Sequence, residues 1–167
     1  MRWTYLLFLL SLILTSACRN SSKKEYCRYG KPTAIFTDGQ PGIQSHRFTL
    51  EGNEATEYVR FNDSLQLTLL QSGCNEIRQE FQFYLPGSFQ DKTPNFWVQL
   101  SIQLFQRLNS LGPAYSGFGI WAQSITEQQD HIKLSEATAL QQDFYITIDR
   151  ILSAENATLV LILSDQP

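Results

Sequence analysis

Histidine and cysteine are scarce in this chain: 167 residues contain two of the first and three of the second. His46 and His131 stand in neither an H-x-x-x-H nor an H-x-x-E spacing, so a zinc site lacks ligands. No G-x-S-x-G elbow presents a serine for hydrolysis. There is no G-x-G-x-x-G run and no phosphate-cradling loop with Lys and Ser/Thr. Thirteen basic residues against sixteen acidic ones leave a net charge of −3. No basic stripe follows a phosphate backbone, which excludes nucleic acid as an expected partner. An apolar run of the roughly 20 residues needed to span a bilayer is missing too, as are internal repeats and low-complexity tracts. No catalytic residue, metal or cofactor is expected, and the chain is read as a non-enzyme.

Acidic residues were tested for paired carboxylate chemistry. Glu76, Arg78 and Glu80 share one strand face, but residues four apart on a strand stand roughly 13 Å apart. A retaining glycosidase needs its two carboxyls about 5 Å apart, and the intervening Arg78 lowers the pKa of both. These residues are expected to form a solvated charged face. Glu51, Glu54 and Glu57 lie around a turn and are likewise expected at the surface.

The N-terminus carries the clearest pattern. Arg2 supplies a thin positive region, "WTYLLFLLSLIL" an apolar one, and Thr15, Ser16 and Ala17 a small-residue processing site, the three parts of an export signal. Leu14-Thr15-Ser16-Ala17-Cys18 resembles the lipobox of bacterial lipoproteins, although Thr15 stands where that family usually has Leu. The resemblance covers only the processing signal. It implies lipidation of Cys18, cleavage before it and acylation of the new N-terminus. Arg19, rather than Asp, follows Cys18, which by the same resemblance points to the outer membrane, facing the periplasm. An ordinary signal peptidase can also use Thr15 and Ala17, so secretion without lipid is the alternative. The folded part vaguely resembles small uncharacterised lipoproteins, to which no activity attaches.

Three cysteines leave an odd thiol in an oxidising compartment. With Cys18 lipidated, Cys27 and Cys74 remain as a disulfide pair. Closing that long loop contributes about 4 kcal/mol on the chain-entropy model. Residues 19–25, "RNSSKKE", are polar and without apolar period, a short flexible tether. The expected organisation is therefore a signal peptide over 1–17, a lipidated cysteine and tether over 18–26, and one domain over 27–167. Asn20, Asn62 and Asn156 begin glycosylation sequons, which matter only in a eukaryote.

Within the mature part, alternating patterns predict strands near 32–37, 46–50, 56–61, 65–69 and 77–85, joined by turns too short for crossovers. Thr93-Pro94 then reads as an N-cap with proline at the first helical position. Trp97, Leu100, Leu104, Leu108 and Leu111 follow at helical spacing, and Gly112-Pro113 ends the element. Residues 117–129 fit either a second short helix or a loop. Two strands, 144–152 and 158–164, close the chain as a hairpin. The fold class is α+β: an antiparallel sheet of about six strands, a meander plus a C-terminal hairpin, packed against one main helix.

Aromatics are the remaining clue, at 13% of the chain. Tyr115, Phe118 and Trp121 sit among glycines in "PAYSGFGIW", and either fill the core or form a recognition surface. A binding site, if present, is expected there and on the neighbouring loop 85–97. The functional expectation is a membrane-anchored, exported lipoprotein with a binding or accessory role in the cell envelope. Its expected partners are the membrane, through the lipid, and an envelope protein or glycan. Two alternatives are an inhibitor of an extracytoplasmic lysozyme or protease, and a glycan-active enzyme.

Overall fold

A computed structural model describes residues 27–140 and 143–167. Cys18 and the signal region lie outside the described residues. The first four strands run as the expected meander: β1 (Ile43–Glu51), β2 (Glu54–Phe61), β3 (Gln66–Ser72) and β4 (Arg78–Pro86). Strands β2, β3 and β4 alternate buried and wetter positions, so one face packs inward and the other meets solvent; on edge strand β1 only Ile43 is buried. In β2, for example, Ala55, Val59 and Phe61 are buried whereas Tyr58 and Arg60 are exposed.

Helix α1 (Pro94–Asn109) follows. Thr93 caps it by accepting from the Phe96 N–H, and Pro94 occupies its first turn, where a missing N–H costs nothing. Trp97, Val98, Ser101, Ile102, Leu104, Phe105 and Leu108 form its buried stripe. A 3-10 turn (Pro113–Tyr115) leads directly into helix α2 (Ser116–Gln128). The segment with two possible readings is thus a helix: Phe118, Ala122 and Ile125 bury one face of it against α1 and the core, which outweighs the low helix propensity of Gly117 and Gly119.

The chain re-enters the sheet at its far edge through the three-residue β5 (Ala137–Ala139), then β6 (Tyr145–Leu152) and β7 (Asn156–Ser164). The order is β1-β2-β3-β4-β7-β6-β5, and every pairing is antiparallel. The last strand therefore lies inside the sheet, between β4 and β6. Its run "ATLVLIL" is apolar on consecutive positions, as a strand with neighbours on both edges and a packed face permits. The α+β class holds, with seven strands and two helices among the described residues in place of about six and one.

One expected strand is absent. Residues 32–37 pair with no strand. They cross the helix-side face of the sheet instead and insert Phe36, which is wholly buried. The Phe36 ring stacks on Tyr115 and Phe118 at centroid distances of 5.6 and 6.1 Å and meets Phe61 edge-on. Phe81 and Phe105 continue the same aromatic cluster. Helix α1 contacts β6 and β7, so this N-terminal segment does for the β1–β3 half what the helices do for the other.

Cys27 and Cys74 lie at disulfide distance with Cα atoms 4.0 Å apart, consistent with the expected pair. The approach there is close: a Cβ on Gly73 would lie 2.9 Å from the Gly30 carbonyl oxygen. Only glycine fits that contact without movement.

If residues 32–37 are a structural layer, truncating their plug must cost as much as a core deletion. Phe36→Ala is expected to lower unfolding free energy by about 3–5 kcal/mol in denaturant titrations. A loss below about 1 kcal/mol would mean the segment is only laid on the surface.

Candidate functional site

Two places in the molecule concentrate polar chemistry. The first is buried. Glu57 occupies a core-facing position of β2 between Ala55 and Val59 and is fully excluded from solvent. This corrects the expectation that Glu51, Glu54 and Glu57 all lie at the surface. An isolated carboxylate there would be very costly, and its partners show how the cost is met. One oxygen accepts from the Phe36 N–H at 2.8 Å and the other from the Ile35 N–H at 3.1 Å. His46 Nε2 stands 2.7 Å from the first oxygen. The Gln71 amide donates to the second at 3.4 Å and to the Thr33 carbonyl at 3.3 Å.

These contacts saturate the carboxylate. His46 Nε2 closes the contact with the first oxygen, and the pair is fixed in place. Both Glu57 oxygens are committed to backbone N–H groups, and the arrangement binds residues 33–36 to the sheet. Its role is architectural. Among the described residues no group of three or more His, Cys, Asp or Glu is arranged to hold a metal ion.

The second place is the face of the sheet turned away from the helices. Cross-strand register brings Arg47, Tyr58, Thr68, Gln82, Val160 and Asp149 into one transverse row. The next row toward the β2–β3 turn contains Arg60, Gln66, Tyr84, Thr158 and Ile151. Tyr58 and Tyr84 are 43% and 40% exposed, and Ile151 65%, so this face is wet but carries large apolar groups. The Arg47 guanidinium lies over the Tyr58 ring, 4.6 Å from its centroid. Nearer the Cys27 end the face changes character: Arg78 pairs with Glu80 at 2.8 Å, and Glu80 also accepts from the Gln82 amide. Arg78 and Glu80 thus lie together on the strand as expected.

Of the two readings of Tyr115, Phe118 and Trp121, core filling describes the first two. Tyr115 and Phe118 are buried in the cluster around Phe36, leaving no surface for recognition. Trp121 is half-buried and packs edge-on against Phe144 at 5.3 Å. In loop 85–97, Phe89 packs against Phe96 and Trp97. The exposed aromatics were missed because each was read as part of a strand pattern. The available signal was their phase: Tyr58 and Tyr84 fall on the polar side of strands whose other side is Val59, Phe61, Phe83 and Leu85.

No helix among the described residues is long and apolar enough to cross a membrane. No family model, curated protein or solved structure matches the chain.

Two carboxylates separate buried from exposed electrostatics. Glu57→Ala leaves two N–H groups and His46 without their acceptor; it is expected to cost about 3 kcal/mol or more and to unprotect the Ile35 and Phe36 amides in hydrogen exchange. Retained protection would show that the carboxylate does not hold this segment.

At the surface, the Arg107 guanidinium hydrogen-bonds Asp63 and holds its carboxyl below the usual value of 3.8. A depressed folded pKa stabilises above the unfolded pKa, and the contribution is lost as pH falls through the folded one. Both side chains are more than a third exposed, so the pair is worth less than about 1 kcal/mol. Comparing Asp63→Asn with the parent should show that small deficit at pH 7, fading as pH falls below about 4 and gone once the folded-state carboxyl is protonated. A deficit unchanged at lower pH would assign it to something other than the ion pair.

Proposed function

We propose that this chain is an exported bacterial lipoprotein, anchored by lipid at Cys18 to the outer membrane and facing the periplasm. Its role is non-catalytic binding in the cell envelope, with the open face of the sheet as the working surface. The observation that carries the reading is the division of the cysteines. Cys27 and Cys74 have each other, which leaves Cys18, at the end of the small-residue processing site, as the cysteine free to take lipid.

The position of Cys27 supports the same arrangement. It lies at the end of the sheet that holds the β1–β2 and β3–β4 turns and the C-terminus: Tyr29 N–H donates to the Cys74 carbonyl, Gly73 N–H to Asn53, and Asp165 N–H to Ile77. A tether from Cys18 to Cys27 reaches at most about 30 Å, so it would hold that end toward the bilayer. Strands then run away from the membrane and both sheet faces look along it. One face is covered by the helices and residues 33–36; the other remains available to a partner.

Mass spectrometry of the mature protein from bacterial membranes tests the anchor. The expected N-terminal peptide starts at a Cys18 carrying diacylglycerol and an acyl group, and Cys18→Ser should release the chain from the membrane fraction. An unmodified Cys18, or a mature N-terminus downstream of it, would contradict the anchor.

A further inference from the structure

We infer that the open face binds an acidic polysaccharide through Arg47, Tyr58, Arg60 and Tyr84. This rests on the reading of that face as the working surface and supplies the chemical class of its ligand. The inference begins with charge. The chain as a whole is acidic, at −3, yet one corner of the open face is basic. Arg47 pairs across the β1–β2 ladder with Tyr58, and Arg60 with Ser45. The two arginines are thus diagonal neighbours on one face, within reach of a common ligand. Both are exposed, and neither has a carboxylate partner among the described residues. Of the acidic groups on this face, Glu51 and Glu54 lie at the far end, by the β1–β2 turn, and the two nearer ones have partners. Glu80 is held by Arg78 and Gln82, and Asp149 accepts from Ser135 and from the Arg150 N–H. Two uncompensated, fork-shaped donors side by side suit carboxylates or similar acidic groups.

The groups around the arginines narrow the ligand further. Tyr58 on β2 and Tyr84 on β4 are separated by one intervening strand, roughly 9.6 Å in the hydrogen-bonding direction. Gln66 and Thr68 of β3 lie between them in the register. Flat rings alternating with amide and hydroxyl groups offer stacking and hydrogen bonds to successive sugar rings, with the arginines taking their acidic substituents. The cavity on this corner, about 320 Å³ and lined by Ser45, Arg47, Tyr58, Arg60, Gln66 and Thr68 among others, is shallow and polar-rimmed rather than the apolar anchor pocket of a tight protein interface.

An acidic phospholipid surface is the other source of such charge, and the fold argues against it. The tether leaves from the opposite end of the strands. Arg60 is six residues along β2 from Glu54, which pairs with Ser72 beside that end, or about 20 Å. The patch therefore sits to the side and away from the bilayer.

The test uses the purified full chain in detergent, titrated with polygalacturonate, with neutral dextran and phosphatidylglycerol vesicles as comparisons. Saturable binding to polygalacturonate is expected, weakening with salt, and none to dextran. The double substitution Arg47→Gln/Arg60→Gln should weaken it about tenfold or more. Tyr58→Ala and Tyr84→Ala should each weaken it severalfold, with unfolding midpoints unchanged because both side chains are exposed. No binding at low salt would overturn the inference, as would binding indifferent to the arginines. Loss with the arginines but not the tyrosines would reduce the site to bare electrostatics and overturn the glycan class. Preference for the vesicles would overturn it in favour of a membrane contact. The anchor is read separately from the Cys18 mass, so failure of the ligand does not resemble failure of the lipoprotein reading.

Discussion

A buried carboxylate on the core side of β2 sets the plan of this protein. The sheet has seven strands, and two helices of 16 and 13 residues do not cover all of its inner face. The β1–β3 half needs another cover, and residues 33–36 provide it only because Glu57 takes up their N–H groups. Without a strand partner, those donors would be buried and orphaned, a cost comparable to losing each hydrogen bond outright. Without those donors, Glu57 would be an unmatched charge in an apolar layer. Each solves the other's problem, and Phe36 is thereby driven into the centre of the aromatic cluster.

That closure gives the two faces different roles. On the inner side Phe36, Phe61, Phe81, Phe105 and Phe118 interlock, so the irregular segment and the helices pack on one aromatic core, while Leu50 on edge strand β1 stays exposed. On the outer side the side chains that alternate with this core meet solvent, and there the tyrosines collect with Arg47 and Arg60, which have no carboxylate partner among the described residues. The Cys27–Cys74 link secures the start of the covering segment to the β3–β4 turn. A pull on a membrane tether would then be borne at the disulfide rather than by the Glu57 hydrogen bonds.

Most of the architecture was legible from local patterns. Alternation located the meander and the C-terminal hairpin, and Thr93-Pro94 located the start of α1, because each depends on neighbouring residues alone. The failures all depended on distant ones. "PTAIFT" has the composition of a strand, but its hydrogen bonds go to a side chain 21 residues away. Glu57 sits near a turn in sequence, and only its phase with Ala55 and Val59 marks it as core-facing. Ala137–Ala139 is too short and plain to signal a strand and exists because Tyr145–Thr147 offers it an edge. Tyr115 and Phe118 stood out among glycines, yet tertiary packing claims them. Tyr58 and Tyr84 carried their message in strand phase, a weaker signal than clustering. The grouping of Arg47, Tyr58, Arg60 and Tyr84 on the outer face was not legible at all, since the register that assembles them spans four strands.

The central proposal is that the helix side of the sheet is the covered core side and the open face is the working surface. Covalent footprinting of tyrosines, on purified protein and on protein in intact cell envelopes, tests it most directly. Tyr58 and Tyr84 should react in the purified chain and become protected in the envelope, while Tyr115 stays unreactive in both. Equal reactivity of Tyr58 and Tyr84 in the two states, or ready modification of Tyr115, would contradict it.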